Sequence, residues 1–151
     1  MSSTPLKTYD LNSVFLVIGG RRIGGFGEDG GIEFEFSTER GEMAIIADGQ
    51  ATFSQTNNNL MFATVTVMET SKSYRDLADL YTTQAAEAPK ERLNFLMEDE
   101  LSGDKVTDQY AVFIAVPAPS KGRVAGEREF RIALPNAGDP TKLKLGQSLS
   151  I

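Results

Sequence analysis

The stretch Gly30–Met68 reads GGIEFEFSTERGEMAIIADGQATFSQTNNNLMFATVTVM, and its alternation decides the fold. Ile32, Phe34 and Phe36 alternate with Glu33, Glu35 and Ser37. A period of two is the mark of a strand with one dry face and one wet face. The polar turn Ser37–Gly41 leads into a second apolar run, Met43–Ala47, which Asp48-Gly49 interrupts as such dipeptides do at turns. Ala51, Phe53 and Gln55 then alternate with Thr52, Ser54 and Thr56. Asn57-Asn58-Asn59 supplies the next turn, because asparagine tolerates left-handed backbone. Leu60, Phe62, Val65 and Val67 follow, interleaved with Thr64 and Thr66. Four short strands in succession predict a meander or a pair of hairpins, against which the rest of the chain packs.

Outward from this stretch the chain stays rich in strands. Ser13–Ile18 (SVFLVI) is a β-branched run ending at Gly19-Gly20, a tight hairpin turn. A glycine cluster, Gly24–Gly31, reads as a loop or bulge before the central sheet. One helix is expected over Lys72–Thr83, prolonged as far as Pro89 at most. Ser73 caps it in this reading, with Asp76 at the third helical position. Tyr74, Leu77, Leu80 and Tyr81 fall on one face, and Arg75, Asp76 and Asp79 on the other. Further strands are expected at Leu93–Met97, Tyr110–Val116 and Glu127–Leu134, with a turn at Ser102-Gly103-Asp104 and a loop at Ala118–Ala125. Residues 1–12 and 136–151 are poor in apolar periodicity and read as extended arms, the second with one short strand at Lys142–Leu145. The expectation is one domain over 1–151: a mostly-β, antiparallel sandwich or barrel with core about 13–135, one flanking helix and two arms.

Composition narrows function by exclusion. The 151 residues suit one core and hold no apolar run long enough for a membrane helix, nor a signal-peptide pattern at the start. Net charge is -6, so the chain lacks the basic surface that grips phosphates. There is no histidine and no cysteine, which removes Ser-His-acid triads, thiol catalysis and the commonest metal ligands. Gly25–Gly30 fits GxGxxG by letter, but a strand follows it and Glu28 and Asp29 stand where phosphate would sit. Glu98-Asp99-Glu100 with Asp104 lacks the alternating ligands of a calcium loop and reads as a solvated turn. No Ser-Lys or paired-carboxylate site is marked out, so no enzyme, cofactor or metal is expected. The wet positions Glu33, Glu35, Thr52, Ser54, Thr64 and Thr66 are small or acidic. They form either an ordinary solvent face or the lining of a water-filled space.

Taken in order, these pieces resemble a family. They are a strand ending in Gly-Gly, a glycine-rich bend, IEFEF before a Glu-Arg turn, ADGQATFSQTNNNLMFATVTVMETS, the helical DLADLYT and a late GEREFRIAL. Their order and spacing, from Asp10 to Leu134, are similar to the tail tube proteins of contractile-tailed, Mu-like bacteriophages. Phe130 stands where the family pattern has tryptophan, and Ala118–Gly126 and the C-terminal tail match nothing in it. The resemblance implies a virion protein assembled in the host cytoplasm, six copies to a ring and rings stacked into a tube. The implied partners are further copies of the chain, sheath, baseplate, tail-terminator and tape-measure proteins, with double-stranded DNA passing through. It also implies that Glu33, Glu35, Thr52, Ser54, Thr64 and Thr66 line the channel and that Tyr74, Leu77, Leu80 and Tyr81 pack near a subunit boundary. Two alternatives remain open here: the tube of a related bacteriocin or secretion particle, and a monomeric barrel that binds a small ligand.

Overall fold

The structure, a computed structural model, describes residues 14–24, 26, 31–39, 41–45, 47–55, 58–86, 92–119, 122 and 126–146. The first arm, most of the glycine cluster with its GxGxxG letters, Asn57, Pro89 and residues 147–151 lie outside that set. Nine strands and one helix are described: β1 Val14–Ile18, β2 Arg21–Ile23, β3 Gly31–Phe36, β4 Gly41–Ile45, β5 Ala51–Gln55, β6 Met61–Met68, α1 Lys72–Ala86, β7 Leu93–Asp99, β8 Lys105–Ala115 and β9 Glu127–Leu134. Seven strands form one sheet in the order β2-β1-β7-β8-β9-β6-β3, every neighbouring pair antiparallel. β4 and β5 pair only with each other.

The four central strands exist as expected, but their pairing is nested. β3 pairs with β6, from Gly31↔Thr66 to Phe36↔Met61, and the β4–β5 hairpin is carried between them. The reason is burial. In β3 and β6 the dry positions Ile32, Phe34, Met61, Ala63, Val65 and Val67 reach the core, whereas Met43, Ile45 and Phe53 do not.

The sheet folds over itself because β8 is shared. Its first half pairs with β7 and its last residues with β9. The register slips once on each side, between Leu93/Phe95 against β7 and near Phe113/Ala115 against β9. Such bulges bend a strand and strengthen its twist. They also explain the adjacent exposed pairs Gln109-Tyr110 and Ile114-Ala115, which a regular alternation would not give. The two halves therefore face each other: Phe34 of β3 meets Phe95 of β7 edge to face, 5.9 Å between ring centres. The result is a β-sandwich with one helix on its flank.

The helix closes that sandwich along one side. Tyr74 and Phe130 are 5.9 Å apart, and Tyr81 and Phe113 6.0 Å. Leu77 is fully buried and Leu80 nearly so, whereas Tyr81 keeps 37 % of its surface. The cap is Ser71, whose Oγ accepts from Tyr74 N at 3.2 Å. Ser73, expected in that role, is buried and accepts from Gly24 N at 2.7 Å. Asp76, expected on the wet face, is buried and accepts from Arg21 at 3.1 Å, and Arg21 reaches Asp79 at 2.7 Å. The hydrogen bond that Arg21 donates to Asp79 above all holds the Arg21 guanidinium pKa above its ordinary value, so Arg21 keeps its charge across the ordinary pH range.

Residues 136–146, read from sequence as the start of an arm, fold back on the domain. Asn136 N donates to Asp108 at 2.7 Å, Ala137 is fully buried, and Gly138 N donates to Asn59 O at 2.8 Å. A Cβ at Gly138 would lie 2.8 Å from that same carbonyl, which is why glycine stands there. Lys144 and Lys105 exchange backbone bonds at 2.8 and 3.0 Å, a single bridge in place of the expected strand. The acidic turn is structural: Asp99 accepts from Leu101 N and Asp104 from Gly146 N, both at 2.9 Å.

Three substitutions test this packing by thermal or urea unfolding. Leu77→Ala is expected to cost roughly 2–5 kcal/mol. Gly19→Ala is expected to cost about 1–2 kcal/mol, because its φ of 60° is left-handed and the new Cβ would lie 2.7 Å from Leu80. Glu69→Ala leaves Arg128 buried without its carboxylate partner and should cost roughly 3–5 kcal/mol. Unchanged midpoints would refute the corresponding contacts.

Candidate functional site

The outer face of β3, β6 and β9 is the wet surface that the alternation requires. Paired residues share a face, so the register sets its rows. Gly31, Thr66 and Glu129 form one row, Glu33, Thr64 and Arg131 the next, and Glu35, Phe62 and Ala133 the third. Glu127, opposite Met68, extends it. Four carboxylates and one guanidinium thus stand on β3 and β9, on either side of the hydroxyls of β6.

Arg131 organises the middle of this face. Its Nη2 lies 2.6 Å from Glu35 Oε1, and its guanidinium sits 4.4 Å above the Phe62 ring. Both charges are well exposed, so the pair contributes about 0–1 kcal/mol and chiefly orients the side chains. Beside it an open cleft of about 530 Å3 is lined by Thr64, Thr66, the run Ala115–Ala118, Glu127, Arg128, Glu129 and Arg131. Its walls are hydroxyl, carboxylate, guanidinium and small apolar groups, with Arg128 paired to Glu69 and Arg131 to Glu35.

Sequence reasoning placed six residues on one wet face, and four of them meet there. Glu33, Glu35, Thr64 and Thr66 share the outer face of β3–β6. Thr52 and Ser54 lie on β5, in the separate hairpin, opposite Ala44 and Glu42. Thr52 is exposed and its Oγ1 donates to Ala44 O at 3.3 Å. Alternation places both on a wet face, but does not show that their strand leaves the sheet. Arg131, Glu127 and Glu129 were missed as members of this face. The signal was present in the alternation of Glu127–Leu134, but the pairing of β9 with β6 joins residues far apart in the chain. Of the four helix residues, Tyr74, Leu77 and Leu80 pack on the core, and Tyr81 lies at its margin over Phe113.

The hairpin is the second distinctive surface. Met43 stands opposite Phe53 and Ile45 opposite Ala51, so their side chains share one face. That face is uncovered: Met43 is 63 %, Ile45 80 % and Phe53 62 % exposed. No helix among the described residues is long and apolar enough to cross a membrane.

Comparison with known proteins points to one family. The sequence model of the family described as bacteriophage PhiTE tail tube protein matches residues 8–133. No curated protein matches significantly. That match takes in β1 to β9 almost to its last residue. The chain therefore belongs to the bacteriophage PhiTE tail tube protein family, a structural component of the phage tail and not an enzyme.

Proposed function

We propose that six copies of this chain form a ring, and that stacked rings make the inner tube of a contractile tail through which the genome leaves. The observation that carries self-assembly is the hairpin. A two-stranded hairpin is marginal in water, and this one turns Met43, Ile45 and Phe53 to solvent. Uncovered apolar clusters of this kind mark interaction surfaces. The edge strand β3, with paired groups on one side only, offers a second place for a neighbour to join. In the ring, the acidic face of β3, β6 and β9 lines the channel. Sheath, baseplate, tail-terminator and tape-measure proteins are the corresponding partners, and assembly takes place in the host cytoplasm.

Negative-stain electron microscopy and light scattering of the purified chain test the assembly. Hexamers or tubes are expected, and a monomer at high concentration would exclude them. Replacing Met43 and Phe53 together by Ser should leave the unfolding midpoint nearly unchanged, because both are exposed, and should shorten or abolish the tubes. Intact tubes from that variant would exclude the hairpin as an interface.

The channel assignment has its own test. Glu33→Lys with Glu35→Lys reverses two charges per copy on solvated positions, so folding should change by less than about 1 kcal/mol. Reversed charge on the wall should retain DNA at low salt and release it as salt rises. Tubes of the double variant that bind no DNA, in particles that eject at the normal rate, would place these residues elsewhere.

A further inference from the structure

Gln84 is 3 % exposed, on the same helical stripe as Leu77 and Leu80. A buried amide among apolar side chains is costly unless both its ends are bonded. Both are. Gln84 Nε2 donates to Ala111 O at 3.0 Å, and Gln84 Oε1 accepts from Phe113 N at 2.9 Å. The carbonyl of one residue and the amide of the residue two further on are the pair that a strand offers to a neighbouring strand. These two belong to the stretch of β8 where its partner changes. Ala111 is matched with Leu93, the first residue of β7, and Val112 and Phe113 are matched with Ala133 and Ile132 of β9. A register slip lies on each side of this stretch.

We infer that Gln84 is a positioning residue for assembly: its side-chain amide stands in for one rung of a strand and fixes where β8 passes from β7 to β9. The bend of β8 sets the angle between the two half-sheets. That angle in turn sets where the acidic face and the hairpin of one half lie relative to β1 and β2 of the other. The helix thereby controls the shape of the sandwich through one hydrogen-bonded contact as well as through its apolar stripe. A glutamate at this position would keep both bonds only when protonated, because the ionised carboxylate is repelled by the Ala111 carbonyl oxygen and leaves the buried site, freeing Phe113 N. It would donate to Ala111 O only when protonated, so it makes the contact switchable by pH. Burial against a carbonyl oxygen raises such a carboxyl's pKa, so the contact is present at low pH and lost as pH rises. The assembly step rests on the tube proposed above, whereas the positioning of β8 does not.

The experiment compares the full-length chain with Gln84→Met and Gln84→Glu, reading amide hydrogen exchange at Phe113 and tube length by electron microscopy. In Gln84→Met, Phe113 should exchange about tenfold faster or more, while the Val65 and Phe130 amides keep their protection. In Gln84→Glu, Phe113 should be fast at neutral pH and regain protection as pH is lowered, after correction for intrinsic exchange. Wild type and Gln84→Met should show no such crossing. Tubes should be short or absent wherever Phe113 is unprotected, and Gln84→Glu should recover them in acid. Should Gln84→Met fail to fold, the acid rescue of Gln84→Glu decides. Equal Phe113 exchange in all three chains overturns the positioning role. Altered exchange with normal tubes overturns the assembly role. A wild-type chain that forms no tubes removes the tube reading and the assembly role with it, while the exchange data still decide the position of β8.

Discussion

The strand β8 has more backbone than either neighbour can pair, and the rest of the structure follows from how that excess is accommodated. An unpaired backbone amide or carbonyl in a core costs about as much as a lost hydrogen bond, so each must find a partner. β8 gives its first half to β7 and its last residues to β9. Between them the Gln84 amide takes the bonds at Ala111 and Phe113, and Asp108 takes the amides of Tyr110 and Asn136. A straight strand would have given one flat sheet with two wet faces. The bent one brings Phe34 over Phe95 and makes a core.

The helix is needed because the folded sheet is open along one side. Its apolar stripe fills that side, and polar side chains fix its position. Ser73 holds Gly24, Arg21 holds Asp76 and Asp79, and Gln84 holds β8. Buried polar contacts of this kind add little net stability over apolar packing, but they admit one placement where a greasy stripe would admit several. The Glu69–Arg128 pair does the same for the join between the end of β6 and the start of β9, with Glu69 also accepting from Gly126 N.

Local pattern was legible in the sequence, and non-local pairing was not. The alternation of Ile32–Phe36, Leu60–Val67 and Glu127–Leu134 gave those strands and most of their dry faces, because burial acts residue by residue along a strand. Phe36, expected dry, is exposed, and Phe62, grouped with Val65 and Val67, lies on the outer face beside Glu35. Gly19-Gly20 gave the β1–β2 turn, with φ of 60° and 83° as a two-residue hairpin requires. The nesting of β4–β5 between β3 and β6 was hidden, since a sequential hairpin and a nested pair leave the same alternation. The helix stripe named the right leucines but assigned Asp76 to water. An arginine fifty-five residues away in sequence, on β2, is what draws it inside. Ser71 and Ser73 look alike to a capping rule, and the backbone of the turn at Met68–Ser71 decides between them. The acidic face shows both sides of this: Glu33, Glu35, Thr64 and Thr66 came from alternation, whereas Arg131 joins them only through the β6–β9 register.

In the proposed tube the two exposed surfaces divide the work of assembly by their physics. A chain of net charge -6 repels its copies, and a ring multiplies that repulsion. Glu33, Glu35, Glu127 and Glu129 concentrate it on one face, where water and salt screen it over about 10 Å at 0.1 M ionic strength. The apolar face of the hairpin, Met43, Ile45 and Phe53, carries no charge, so covering it opposes the repulsion without neutralising any carboxylate. Had association relied on ion pairs with the acidic face, that face would have been consumed as interface and its side chains would not line a wet channel. Arg131, already engaged by Glu35 and Phe62, tempers the local charge without offering a free cation to DNA. A wall that stays acidic and a joint that stays apolar are compatible in one small sandwich because the β4–β5 hairpin stands apart from the sheet that bears the charge.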